Sequence, residues 1–220
     1  MSWALVVIGN GRLQYLHQAV QTALELLPEP TVKLMVDDSG SPEVQAELAA
    51  HYPTWNIVHH SENRGMAAAV QTGFDLVCEA DTDFAFWLEE DMLLTRTPPL
   101  RAAMDILDMN DHLAQMCFRR ATVWGNPYEE QHGDVLAALC AQSTTVIDHG
   151  CWTEYDALFS LNPCLIPQDI CQIDWDSGNE AGMTSKLLEQ GYRFGSWGNR
   201  TLAEHWVTHI GEQRGTRWQL

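Results

Sequence analysis

The 220 residues carry 30 acidic side chains against 12 basic ones, a formal net charge of −18. Such an acidic body disfavours non-specific binding to nucleic acid or anionic membranes, which relies on Lys and Arg displacing counterions. An apolar share of 45% suits a packed core and excludes wholesale disorder.

The chain then alternates strand and helix. Trp3 to Ile8 is a continuous apolar run, as expected of a strand covered on both faces. It is too short for a signal peptide or a membrane span, and no later stretch reaches about 18 apolar residues. A soluble, cytoplasmic protein is expected. Gly9-Asn10-Gly11 breaks the strand, and a helix is predicted from Leu13 to Leu27 with Leu16, Val20, Leu24 and Leu27 on its inner face. Pro28 and Pro30 end it. Val32 to Val36 is a second strand, stopped by Asp37-Asp38-Ser39-Gly40. Ser41-Pro42 has the form of an N-cap with proline at the first helical position.

A third strand, Trp55 to His59, leads through Ser61-Glu62-Asn63 into a helix from Arg64 to Cys78. The inner face of that helix is Ala69, Val70, Gly73, Phe74 and Val77. Asp83 to Leu88 is a fourth strand, running directly into Glu89-Glu90-Asp91. Beyond Pro98-Pro99 the pattern gives a helix over Leu100 to Met109 and a strand over Leu113 to Phe118. The stretch 119–150 is poorly patterned, with one helix at most. Strand-like residues return over Leu158 to Ile166, and a helix from Glu180 to Gln190 is closed by Gly191. The remainder reads as loop or tail. Strands alternating with helices of this length imply an α/β domain with a mostly parallel sheet.

In open α/β sheets ligands gather at the carboxyl ends of the strands. Here those ends carry Gly9-Asn10, Asp37-Asp38, His59-His60 with Asn63-Arg64-Gly65, and Glu89-Glu90-Asp91. Turn chemistry does not require three carboxylates directly after an apolar strand. Packed acids repel unless a cation lies between them or one keeps a proton. Hard oxygen ligands suit Mg2+ or Mn2+. Six scattered cysteines (Cys78, Cys117, Cys140, Cys151, Cys164, Cys171) without a Cys-x-x-Cys pair read as reduced thiols.

Taken together, Asp37-Asp38-Ser39-Gly40, Asn63-Arg64-Gly65 and the acidic triplet resemble the nucleotide-sugar half of a family 2 glycosyltransferase with the GT-A fold. Phe159-Ser160-Leu161-Asn162-Pro163 looks like that family's strand beside the acceptor site. Asn179 to Tyr192 is similar to its base-bearing helix, with Glu180 at the position of the catalytic Asp. The resemblance implies one GT-A-type domain over 1–220. Its nucleotide-sugar half is 1–95, and its acceptor half and tail, with a short mixed sheet, are 96–220. It further implies a nucleoside-diphosphate sugar donor, UDP being the family's commonest base, with Mn2+ or Mg2+ and inverting transfer to an acceptor hydroxyl.

By residue, the resemblance makes Glu180 the general base and places Asp91 and His209 at the metal. Ile8, Asn10, Asp37, Asp38, Arg64, Glu89 and Glu90 would lie around the donor. Two departures stand out: Glu89 occupies the first position of the usual Asp-x-Asp, and Glu replaces Asp at the base. Arg214 and Arg217 are candidates to close over the diphosphate, and His205 is a further candidate ligand. Among nine Trp, Trp175 is the candidate for stacking on a sugar. The acceptor stays open among a saccharide, a protein, a small molecule or a modified nucleobase, as does oligomeric state. The alternatives are a sugar nucleotidyltransferase, which wants a lysine at the phosphates, and a non-catalytic binding module on the same fold.

Overall fold

The computed structural model describes residues 1–119, 135–175, 178–199 and 206–211. Arg120, Trp124, His205, Arg214 and Arg217 lie outside them. The first half alternates as the pattern dictates: β1 (Trp3–Gly9), α1 (Leu13–Leu26), β2 (Val32–Asp37), α2 (Pro42–His51), β3 (Asn56–His59), α3 (Met66–Ala80) and β4 (Phe84–Glu89). Then come β5 (Met92–Leu94), α4 (Leu100–Asp108), β6 (Leu113–Cys117), α5 (Val135–Gln142), β7 (Val146–Asp148), β8 (Trp152–Tyr155) and β9 (Cys164–Pro167). The chain continues with α6 (Gln168–Cys171), α7 (Glu180–Glu189), β10 (Arg193–Trp197) and β11 (Val207–His209).

One sheet of nine strands runs β3-β2-β1-β4-β9-β6-β10-β8-β7, and β11 pairs with β5 in a second, two-stranded sheet. Strands β3, β2, β1 and β4 are parallel neighbours, while β9 joins β4 and β6 antiparallel. Successive side chains of a strand point to opposite faces, and β1 shows the result. Trp3, Leu5 and Val7 enter one core with α1, α4 and Leu48 of α2. Ala4 and Val6 enter the other with α3, α5, α6 and α7. A buried sheet with apolar layers on both sides explains why the β1 run is unbroken.

Local chemistry sets the helix ends. The Ser41 hydroxyl accepts the Val44 N–H at 3.3 Å with Pro42 at the first helical position. The Asn179 side chain accepts the Gly182 N–H at 2.9 Å and starts α7 at Glu180. The inner face of α3 is the predicted Ala69, Val70, Gly73, Phe74 and Val77. Gly73 is required there, since a Cβ would stand 2.7 Å from the Trp87 ring.

Several expectations change. Leu24 is exposed, and Ala19 and Ala23 fill the inner face of α1 instead. Phe159 to Pro163 is not strand; regular pairing begins at Cys164. Arg193 to Trp197, read as loop, is a strand inside the large sheet, between β6 and β8. Trp175 is no exposed stacking platform. It is buried, 3% exposed, with its ring edge-on to Phe74 at 5.9 Å. All six cysteines are free thiols, as expected. Among the described residues no helix is long and apolar enough to cross a membrane.

Candidate active site

The chain builds β1, β2 and β3 outward on one side of β1, then returns to place β4 on the other side. A crevice at the carboxyl ends of two strands where the order reverses is the usual ligand position of an open α/β sheet. In the β1–β4 register Ile8 lies opposite Glu89, so the Gly9–Arg12 turn and the acidic triplet meet at this switch point.

Their meeting is ionic. Arg12 Nε donates to Glu90 Oε1 at 2.5 Å, and its Nη2 to Asp91 Oδ2 at 2.6 Å. Glu90 Oε2 accepts the backbone N–H of Asn10 at 3.0 Å and of Arg12 at 3.2 Å. Both oxygens of the buried Glu90 are thereby engaged within the protein, and the carboxylate holds the turn in place. The Arg12 guanidinium stays fully charged: burial alone lowers its pKa, but Asp91 and Glu90 outweigh that and raise it. Nothing in the sequence singled out Arg12 for this clamp.

Asp91 also receives the second sheet. Through the β5–β11 pair His209 lies opposite Met92, and its Nε2 comes to 3.2 Å from Asp91 Oδ2. The Ile210 N–H donates to the Asp91 carbonyl at 2.8 Å. Burial pushes the Asp91 pKa up, but the His209 hydrogen bond and charge, with Arg12, outweigh it and leave it lowered.

A second set of contacts orders the β2 and β3 ends. Asp38 is buried, and its Oδ1 accepts the Arg64 N–H at 2.8 Å while contacting His60 Nδ1 at 2.6 Å. Asp38 Oδ2 accepts the Gly65 N–H at 2.8 Å, and its carbonyl accepts Asn63 Nδ2 at 2.8 Å. Asp37 Oδ2 lies 3.0 Å from His59 Nδ1. The polar strand ends are thus held by hydrogen-bonded groups at one edge of the sheet, one around Glu90 and Asp91 and others around Asp37 and Asp38. The Arg64 side chain is exposed, and Asn10 is exposed beside the turn. Ile8 is half-buried, within reach of α3 at Gly73.

Elements of the second half of the chain reach the same edge through register. Cys164 opens β9 opposite Trp87 of β4, so the residues before it lie past the carboxyl end of β4. Cys117 of β6 also pairs with Cys164, which brings Phe118 and Arg119 to that edge. Phe159 to Leu161 hand their N–H groups to side chains rather than to a neighbouring strand. Thr184 Oγ1 accepts from Phe159 at 2.9 Å, Gln115 Oε1 from Ser160 at 3.1 Å, and Glu180 Oε1 from Leu161 at 2.7 Å. The Ser160 hydroxyl donates to Glu180 Oε1 at 3.2 Å.

The carboxylates feel one another. Glu89 has its pKa pushed up to about 8, by burial first and then by the charges of Asp91 and Glu180, with Arg119 and Arg12 opposing. Burial raises Glu180 as well, against the Leu161 N–H, Ser160 and Arg119. Arg119, not among the predicted site residues, therefore supplies positive charge to both. The nucleotidyltransferase alternative wants a lysine at the phosphates, and of the chain's two, Lys33 and Lys186, Lys33 pairs with Glu29 at 2.6 Å near the amino end of β2, opposite Leu5 and away from this edge.

The family profile described as Glycosyl transferase family 2 matches residues 4–147. Among curated proteins no sequence matches the chain. Among solved structures, the mannosyltransferase PcManGT from Pyrobaculum calidifontis, in complex with GDP-Man and Mn2+, superposes with a TM-score of 0.62 at 13% identity, covering 97% of this chain and 58% of that one. S. aureus TarS in complex with UDP-GlcNAc gives 0.61 at 11% identity, covering 97% of this chain and 59% of that one. The chain thus spans under two thirds of each of these structures, and the likeness is one of fold.

Proposed function

The chain belongs to glycosyltransferase family 2, a family of enzymes, and from that premise we propose that it moves a sugar from a nucleoside-diphosphate sugar to an acceptor hydroxyl with inversion, using Glu180 as general base and a divalent ion at Asp91. The observation that carries this reading is a convergence of strand register: β4 carries the acidic triplet to the edge where the segment before β9, tied to Glu180 through Leu161, also arrives. In keeping with that convergence, the charges of Asp91 and Glu180, far apart in sequence, both disfavour ionisation of Glu89.

The donor would lie in the β1–β4 crevice, its base and ribose along Ile8 to Asn10, Asp37 and Asp38, with Arg64 near the base or diphosphate. The ordered Gly9–Arg12 and Asn63–Gly65 segments support that placement, since each is fixed by a buried carboxylate. Asp91 and His209 would hold Mn2+ or Mg2+. The donor set offers a carboxylate oxygen and an imidazole nitrogen 3.2 Å apart, and Arg12, which donates to that same Asp91 oxygen at 2.6 Å, would have to yield it to the ion. Such an ion, when bound, offsets charge growing on the leaving diphosphate.

At the other side of the sugar, Glu180 takes the proton of the acceptor hydroxyl as the new C–O bond forms and the bond to the diphosphate breaks. Its Oε1 is occupied by Leu161 N–H and Ser160, which orients the carboxylate and leaves Oε2 to the acceptor. A raised pKa makes it a stronger base than an ordinary carboxylate. Single displacement needs no protein nucleophile. PcManGT and TarS, whose structures carry GDP-Man with Mn2+ and UDP-GlcNAc, support the donor class without choosing its base. A thermal-shift screen of UDP-, GDP- and TDP-sugars with and without Mn2+ tests the reading. One donor should raise the melting temperature in an Mn2+-dependent way; no shift with any of them contradicts it.

A further inference from the structure

We propose that His17, Glu47 and His51, on the outer face where α1 meets α2, form a second metal site of transition-ion type, distinct from the one at Asp91. One ligand atom from each of the three lies within 4.8 Å of the others. Glu47 and His51 are four residues apart on α2, the spacing that stacks two side chains on one helix face. His17 comes from α1, and its Nε2 lies 3.3 Å from Glu47 Oε1.

The outer contacts of both imidazoles fit ligation. His51 Nδ1 lies 3.0 Å from the Glu47 backbone carbonyl. A carbonyl only accepts, so Nδ1 carries the hydrogen and Nε2 is left with its lone pair. His17 Nδ1 lies 2.7 Å from the Tyr52 hydroxyl, which fixes that ring with Nε2 toward Glu47. Metal-bound histidines characteristically tie their second nitrogen to such a partner. The two rings are held near each other, centroids 4.7 Å apart and tilted by 38°.

The chemistry of the set selects the ion. Two imidazoles and one carboxylate suit Zn2+, Co2+ or Ni2+ better than Mg2+, which prefers oxygen ligands and keeps its waters. Three protein ligands leave a fourth tetrahedral position to water. An ion here bridges α1 to α2. These helices follow the Gly9–Arg12 turn and the Asp37–Gly40 turn, which the nearby Gly11 and Ser39 already bring together. Zn2+ binding is therefore expected to stiffen the support of the donor crevice.

Calorimetric titration of the full chain with Zn2+, in buffer with saturating Mg2+, reads the site directly. One Zn2+ per chain should bind, and Co2+ in its place should give the visible absorption of a tetrahedral ion. His17→Ala and His51→Ala should each weaken Zn2+ by more than about tenfold, and Tyr52→Phe by about tenfold, the usual loss for an outer-contact change. Asp91→Asn should leave Zn2+ affinity unchanged, which separates this result from the fate of the donor-site reading. His17, His51 and Tyr52 are part-exposed or at the helix surface, and melting curves without metal check that every variant, the buried Asp91→Asn included, folds. Wild-type Zn2+ affinity in the His17→Ala, His51→Ala double variant, or no stoichiometric binding by the native chain, overturns the proposal.

Discussion

Gly211 is pressed against Asp91: a Cβ placed on it would stand 2.9 Å from the Asp91 Cγ and 3.0 Å from Arg12 Nη1. The His209-Ile210-Gly211 segment is therefore doubly committed to Asp91, through His209 and through a backbone approach that only glycine permits. Gly211→Ala is expected to displace the carboxylate while leaving both cores intact. A shift approaching 1 Å at a reacting constellation costs on the order of 10²-fold in rate. Initial-rate assays with melting curves check this: transfer should fall by about that factor with a small change in melting temperature.

Arg12 and Glu90 form a pair in which the acid is buried and the base nearly so, side chains 3% and 19% exposed. Removing one partner of such a pair leaves an uncompensated buried charge, at a cost of about 3 kcal/mol. Arg12→Met should therefore lower the unfolding free energy by roughly that amount in urea. An unchanged unfolding midpoint would mean that the pair contributes nothing to the turn.

Asp38 illustrates how the α3 entry is built, since its two oxygens collect the N–H groups of Arg64 and Gly65 together with His60. Asp38→Asn keeps the shape but turns one acceptor into a donor facing donors. A buried polar group left unsatisfied costs about 1–3 kcal/mol. Faster proteolytic cleavage within 61–65 and a stability loss of that order (about 1–3 kcal/mol) are expected.

The parts legible in the sequence are those where a local pattern and the fold agree. Apolar runs, Ser41-Pro42, and the spacing of Ala69, Val70, Gly73, Phe74 and Val77 each specified their element. The strand ends at Asp37-Asp38, His59-His60 and Glu89 to Asp91 pointed to one edge because parallel β-α units put them there. What stayed hidden depends on tertiary pairing. The β10 strand, Arg193–Trp197, contains Gly195 and Ser196 and has no alternating pattern, yet it fills the gap between β6 and β8. Gly195 is demanded by its neighbour, with a Cβ position 2.9 Å from the Gln115 carbonyl oxygen. Phe159 to Leu161 looked like strand because Phe159 and Leu161 alternate with Ser160 ahead of the apolar Cys164-Leu165-Ile166. Their N–H groups instead go to Thr184, Gln115 and Glu180, partners that no sequence window reveals. Arg12 and Arg119 were missed for the same reason: each meets its carboxylates only after the sheet closes.

As the proposed general base, Glu180 should give a pH dependence with a defined sign. Burial raises its pKa above the ordinary carboxylate value, and a general base works only when deprotonated. Activity should therefore fall as pH drops through that raised value, with the acid limb of kcat/KM lying above the ordinary carboxylate range. Ser160→Ala removes one hydrogen bond that favours the charged form and should move the limb further up. A limb at or below the ordinary value would assign it to another group.

The central claim is that the donor acids and the acceptor-side acid serve one transferred sugar. Release of nucleoside diphosphate from the preferred sugar nucleotide with Mn2+, measured side by side for the native chain, Asp91→Asn and Glu180→Gln with donor affinity by calorimetry, tests it most directly. The account predicts turnover by the native chain and weakened Mn2+-dependent donor binding in Asp91→Asn. In Glu180→Gln it predicts native donor affinity with a rate lower by about 10²- to 10⁴-fold. Near-native turnover by Glu180→Gln, or donor affinity unchanged in Asp91→Asn, would contradict it.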